Sequence, residues 1–113
     1  MVASPEIKPI IRQMLQDFVG IEASGHIRYE AIFDDQNGRY QILAIGWRGK
    51  QRVLQPIVML EVKDNTVHIQ ANRTDSDIFG DLLEAGFSSQ QIVNDWLPLE
   101  VKSAPQNTAN YSQ

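Results

Sequence analysis

Tyr40-Gln41-Ile42-Leu43-Ala44-Ile45-Gly46-Trp47-Arg48-Gly49-Lys50-Gln51-Arg52-Val53 is the stretch on which the fold turns. An uncharged run reaches Gly46-Trp47, passes through a tight basic turn and leaves as a second extended run. Residues 39–47 read as a strand with apolar groups on both faces. Tyr40, Ile42 and Ala44 alternate with Leu43, Ile45 and Trp47, the pattern of an interior strand. Arg48-Gly49-Lys50-Gln51 is the turn, and residues 52–63 form the next strand, with Leu54, Val58, Leu60 and Val62 on a shared face. Pro56 cannot donate to a ladder, so a bulge or an unpaired edge is expected there.

The same logic extends outward. Over residues 26–34, Ile27, Tyr29, Ala31 and Phe33 alternate with Arg28 and Glu30. Asp35-Gln36-Asn37-Gly38 then turns the chain, Asn-Gly being suited to the positive φ of a hairpin. Beyond Asp64-Asn65, Val67, Ile69 and Ala71 alternate with His68, Gln70 and Asn72. Four strands joined by three short links imply an antiparallel meander.

Helical periodicity flanks the strands. Ile7, Ile10, Ile11, Met14, Leu15 and Phe18 form one stripe of a helix over about residues 5–20. Ser4 and Pro5 suit its start and Gly20 its stop, although Pro9 implies an irregular first turn or a start near Lys8. After the fourth strand, Thr74-Asp75-Ser76-Asp77 resembles a capping box. Ile78, Phe79, Leu82 and Leu83 follow on one face and Gly86 closes that helix. Ser88-Ser89-Gln90-Gln91 opens a second short helix carrying Ile92, Val93 and Trp96, ended by Pro98. The expected fold is therefore α+β: an N-terminal helix, a four-stranded antiparallel meander and two short C-terminal helices packed on one face, in a two-layer sandwich. Residues 1–102 make one domain, and the polar, aperiodic residues 103–113 read as a disordered tail.

Composition bounds the function. A chain of 113 residues holds one domain. No run approaches the ~20 apolar residues of a membrane helix, and the first residues lack the pattern of a signal peptide. The absence of cysteine removes disulfides and thiolate zinc sites and fits a cytoplasmic protein. The net charge of −4 disfavours a free-standing nucleic-acid binder. The charge is unevenly distributed. Arg39, Arg48, Lys50 and Arg52 stand in a window without acids. Asp75, Asp77, Asp81, Glu84, Asp95 and Glu100 stand in one without bases.

Constellations for catalysis are scarce. His26 and His68 are the only histidines, no serine sits in a nucleophile elbow, and Gly46-Trp47-Arg48-Gly49 lacks the spacing of a phosphate loop. His68-x-Gln70-x-Asn72 places three polar groups on one strand face, but amide oxygens are weak ligands for metals that histidine prefers. Asp77 and Asp81 stand at i, i+4. The first reads as a cap and the second as solvated. Arg48, Lys50 and Arg52 could neutralise phosphates with Trp47 or Tyr40 stacking nearby, or guard a sheet edge. Strand alternation would send these bases to different sides. Trp47 and Trp96 suit a core as readily as a binding surface.

Several segments in register resemble one family. They are Tyr40-Gln41-Ile42-Leu43, Gly46-Trp47, Lys50, Arg52-Val53, Glu61-Val62-Lys63-Asp64, His68-Ile69-Gln70 and Thr74-Asp75. Leu82-Leu83-Glu84-Ala85-Gly86-Phe87 and Gln91-Ile92-Val93 continue the series, and Ile10-Ile11-Arg12-Gln13-Met14-Leu15-Gln16-Asp17-Phe18 precedes it. Over about residues 7–96 the chain resembles the XisI-like proteins, the fdxN-element excision controlling factors of cyanobacteria. The resemblance implies a small α+β protein acting with a XisH-like companion to control a site-specific recombinase during heterocyst differentiation. The chain departs from the pattern at His68, Ala71 and Arg73, where such proteins usually carry Trp, His and Gly. It departs again at Asp95-Trp96-Leu97-Pro98-Leu99-Glu100, where they carry Gly-Phe-His-x-Pro with trailing bases.

The expected function is accordingly a non-enzymatic controlling factor for excision of a DNA element, working through the XisH-like partner, with DNA touched indirectly. The alternative is a direct nucleic-acid-binding accessory factor using the basic turn. Candidate partner- or nucleic-acid-binding residues are Arg39, Trp47, Arg48, Lys50, Arg52, Gln70 and Asn72. No catalytic residue, metal ligand or cofactor is assigned. Apolar groups on both faces of the second strand suggest a homodimer.

Overall fold

The chain was described from a computed structural model, which covers residues 7–22 and 25–97. The Ser4-Pro5 helix start, Pro98 and the polar tail lie outside the described residues. Helix α1 spans Ile7–Glu22. Strands β1 (Ile27–Asp34), β2 (Arg39–Arg48), β3 (Gln51–Lys63) and β4 (Thr66–Asn72) follow, then α2 (Ile78–Glu84) and β5 (Ile92–Asn94). The sheet order is β1-β2-β3-β4-β5. The expected meander is present, its three pairs all antiparallel.

A fifth strand was not anticipated. The second C-terminal helix is only a single 3-10 turn, Ser89–Gln91. Gln91 Oε1 accepts from the Ser88 N–H (3.0 Å) and the Gln91 N–H donates to the Ser88 carbonyl (3.0 Å), which closes one turn and no more. Ile92 and Val93, both β-branched, then add in parallel to the free edge of β4, Val67 pairing with Ile92 and Ile69 with Asn94. The sheet is thus mixed, and the described residues hold two α-helices.

Two further boundaries differ from expectation. Helix α1 runs through Gly20 to Glu22; an interior glycine costs about 1 kcal/mol relative to alanine but does not itself terminate a helix. Pro9 falls in the first turn, where N–H groups have no intrahelical acceptor. The α2 cap is Asp77, as expected of it, its carboxylate accepting from the Gly80 N–H at 2.9 Å; the capping box beginning at Thr74 does not form. Thr74 is engaged instead by Asn72, whose Oδ1 accepts from both its N–H and its hydroxyl. Gly86 ends α2 as expected, with φ of 112°. Its N–H donates to Leu83 and that of Phe87 to Leu82, the double closure of a Schellman motif.

Both helices lie on one side of the sheet. Ile7, Ile11 and Leu15 of α1 pack with Tyr40, Ile42, Val58, Leu60, Val67 and Ile69 of the sheet, all at most 1% exposed. Phe79 and Leu82 of α2 join the same cluster. Each fully buried aliphatic side chain contributes roughly 1.5–3 kcal/mol. A polar clamp fixes α1 to the β1–β2 turn. The Tyr40 hydroxyl donates to Asp35 Oδ1 (2.7 Å), which also receives Arg12 (2.6 Å), while Lys8 Nζ donates to the Asp35 carbonyl (2.8 Å). Burial, then the Asp35 carboxylate, pushes the Tyr40 hydroxyl far up; the Tyr40 bond, then Arg12, holds Asp35 below its ordinary value.

The expected irregularity at Pro56 is a bulge. Leu43 pairs with Pro56 and Ile42 with Val58, leaving Ile57 as the extra residue. A second bulge in β4 leaves Gln70 extra, between Leu60–Ile69 and Met59–Ala71. At Gly46 the backbones of β1 and β2 come unusually close. A Cβ there would overlap the His26 carbonyl oxygen and lie 2.9 Å from Ile27 Cα.

Candidate functional site

In an antiparallel pair, directly opposed residues project to one side. Tyr40–Leu60, Ile42–Val58 and Ala44–Gln55 therefore face the helices. Gln41–Met59, Leu43–Pro56, Ile45–Leu54 and Trp47–Arg52 face away. No residue of the second set belongs to the buried core or packs against it, even though Ile45 is itself buried. From β1, Ile32 joins this outer face beside Gln41. Ile32, Trp47 and Leu54 are 40%, 49% and 62% exposed. The result is an apolar band across β1, β2 and β3, left open by the described residues. Large exposed apolar patches on folded proteins are in general associated with interaction surfaces.

Charged groups border the band in paired form. Arg28 holds Glu30 at 2.8 Å. Arg39 lies 3.6 Å from Glu61, which also faces Lys63 at 3.9 Å. Near β5, His68 Nδ1 donates to Asp95 Oδ2 (2.7 Å), and Gln70 Nε2 donates to Asp95 (3.1 Å) and Glu61 (3.1 Å). Sequence reasoning missed this His68–Asp95–Gln70–Glu61 network. Asp95 is 27 positions from His68 and reaches it only because β5 pairs with β4.

The seven candidate residues separate. Arg39, Trp47, Arg52 and Gln70 share the outer face. Trp47 is not a core residue: it is half-exposed, and the Arg52 guanidinium lies over its ring, 5.5 Å from the centroid, at cation–π distance. Arg48 projects to the helix side and Lys50 sits in the exposed turn. Asn72 is turned to the helix side by the β4 bulge, opposite Val58. Its amide donates to the Ser76 carbonyl at 2.9 Å and its carbonyl holds Thr74, so it shapes the approach to α2. Arg52 pairs with Trp47, eight positions along β2 from Arg39, so the two stand about 26 Å apart at ~3.3 Å per residue. The basic window is therefore not one patch.

Among the described residues, the His68–Asp95 pair has no hydroxyl or thiol hydrogen-bonded to the ring. Among the described residues no three His, Asp or Glu side chains converge as a metal site, and no helix is long and apolar enough to cross a membrane.

The comparisons with known proteins agree with the fold. The family model described as XisI protein matches residues 1–107. A XisI-like protein from Anabaena variabilis ATCC 29413 superposes with a TM-score of 0.79 at 20% identity, over 86% of this chain and 90% of that one. The fdxN element excision controlling factor XisI from the same organism superposes with a TM-score of 0.68 at 21% identity, over 85% and 94%. No curated protein matches the chain.

Proposed function

The chain belongs to the XisI protein family, and on that premise we propose that it is a non-enzymatic, cytoplasmic controlling factor for excision of a DNA element, acting through a XisH-like partner. The observation that carries this reading is the open apolar face. Trp47, Leu54 and Ile32 stand exposed on it, and Arg28 and Arg39 on its border are already paired with Glu30 and Glu61. A face of that character suits a partner protein: apolar at its centre, polar at its rim. Phosphate binding asks for the reverse, a field of unpaired bases. The net charge of −4 and the dispersal of Arg39, Arg48 and Arg52 also support protein contact over direct contact with DNA. In this role DNA is engaged through the partner, and the same face can pair two copies of the chain.

The test is capture of a co-expressed XisH-like protein, with and without nuclease. Capture should survive nuclease and fall at least about tenfold in a Trp47→Ser/Leu54→Ser variant, since an exposed aromatic anchor typically carries 2 kcal/mol or more of an interface. Capture that disappears with nuclease would overturn the reading in favour of direct nucleic-acid binding through the basic turn, and nuclease-resistant capture that ignores the double substitution would overturn the assignment of the open face.

A further inference from the structure

On the helix side of the sheet, away from the open face, a cavity of about 410 Å³ lies among α1, the starts of β1 and β3, the end of β2 and the segment that leads into α2. That volume is typical of small-ligand sites. Phe18 and Tyr29 line it, their rings tilted by 44° with centroids 6.0 Å apart. Arg48 and Arg73 line it as well.

These two arginines differ from the others in the chain. Arg12, Arg28 and Arg39 each hold a carboxylate, and Arg52 lies on Trp47. Among the described residues, Arg48 and Arg73 have no ion-pair partner. Two guanidiniums on one cavity, unpaired among the described residues, leave a local positive field that Asp75, the one carboxylate among the described lining residues, offsets only in part. Arg73 is anchored through its backbone, its N–H donating to the Ile57 carbonyl at 2.7 Å. Arg48 is the last residue of β2, held opposite Gln51. The two cations are therefore carried on ordered backbone.

We propose that this cavity binds a small aromatic anion bearing a phosphate, of the nucleoside monophosphate class. Guanidinium groups match phosphate oxygens with paired donors, and aromatic walls accept a flat base by stacking. Inorganic phosphate would fill a minor part of the space and leave the rings uncovered. A duplex is too large to enter. Asp75 supplies an acceptor for an amino or hydroxyl group of the ligand. The phosphate-bearing ring can come from a free nucleotide or from the terminal nucleotide of a single strand.

The experiment is titration of the full chain with AMP, followed by amide chemical shifts and calorimetry. Adenosine, inorganic phosphate and a 5′-phosphorylated dinucleotide are the comparison ligands. AMP should bind, with shifts at Arg48, Arg73 and Thr74. Arg48→Gln or Arg73→Gln should each weaken binding about tenfold or more, as loss of a charge-assisted contact does. Lys50→Gln, in the same turn as Arg48 but away from the cavity, should leave binding unchanged. Both arginines are exposed, so the variants should melt with the parent chain and capture the XisH-like partner equally well, which separates this site from the open face. A dinucleotide that binds more tightly than AMP would point to strand ends, and the reverse to free nucleotide. No binding of AMP, equal loss in Lys50→Gln, or phosphate alone binding as tightly as AMP would each overturn the proposal.

Discussion

Gly46→Ala is the substitution whose cost follows most directly from the structure. The added Cβ would overlap the backbone oxygen of His26 and sit 2.9 Å from Ile27 Cα and 3.0 Å from the His26 carbonyl carbon. All three are backbone atoms, so no rotamer change relieves them. Either β1 retreats, or its first residues detach from β2. Retreat breaks the bond from the Trp47 N–H to the His26 carbonyl, 3.1 Å long, at about 1 kcal/mol. Overpacking against a fixed neighbour adds about 1–3 kcal/mol, and φ of 151° is poorly populated by alanine, adding roughly 1 kcal/mol. The expected loss is about 3–5 kcal/mol. At ~4 °C per kcal/mol for a domain of this size, the melting temperature falls by about 12–20 °C. Gly49→Ala is the control. Its φ is 63° but nothing lies within 4 Å of the added carbon, so only the backbone preference of about 1–2 kcal/mol is lost. Thermal unfolding followed by circular dichroism measures both. Equal losses at the two positions would refute the steric argument and leave only the backbone term. Either response should speed hydrogen exchange at the Trp47 amide, and detachment of β1 would extend the effect to the paired residues Ile27 and Arg28 opposite Gly46 and Ile45.

Tyr40→Phe keeps the buried ring but removes the donor to Asp35, which should cost about 1 kcal/mol because the carboxylate remains solvated and held by Arg12, read as a shift in the urea midpoint at unchanged slope. Asp77→Ala removes the α2 cap and should cost about 1 kcal/mol, with exchange rising first at the Gly80 amide. By carboxyl NMR, Asp34 and Asp35 should titrate below 3.8, held down by the Asn37 side-chain bond and by Tyr40 respectively. Asp81 should titrate above 3.8, raised by burial and then by Asp77 and Glu84. The signs differ. The stability from Asp34 and Asp35 is present above the unfolded value and disappears as pH falls through their lower folded values. For Asp81, protonation begins sooner in the folded state, so lowering the pH through its folded value favours folding.

The meander was legible because each strand carries its own alternation and each turn its own glycine or Asp-Asn pair; nothing beyond a dozen residues had to be known. Strand β5 was not, because three residues show no period, and Ser88 with Gln91 gives the same local signal whether one helical turn follows or three. Its identity as a strand depends on Val67 and Ile69, far away in sequence. The side of the sheet left open was hidden for a related reason. Leu43, Ile45 and Trp47 declare a second apolar face on β2, but whether a helix covers it depends on where α1 and α2 dock. The separation of the basic window was legible in part: alternation already puts Arg48 and Arg52 on opposite faces, and neighbours in sequence become distant along an extended chain. The Arg48–Arg73 cavity joins residues 25 apart through two strand ends, with no local signature.

The attachment of β5 also bears on how the fold can assemble. The three antiparallel pairs join neighbours across turns of a few residues, so their closure is rapid and needs little entropy. The parallel pair Val67–Ile92 closes a loop that must contain the whole of α2, and three residues of ladder give limited return for it. Formation of the meander should therefore precede docking of β5, and pulse-labelled exchange should protect the β2 and β3 amides before those of Ile92–Asn94. The His68–Asp95 bond, which depends on that late strand, then reports completion of the fold.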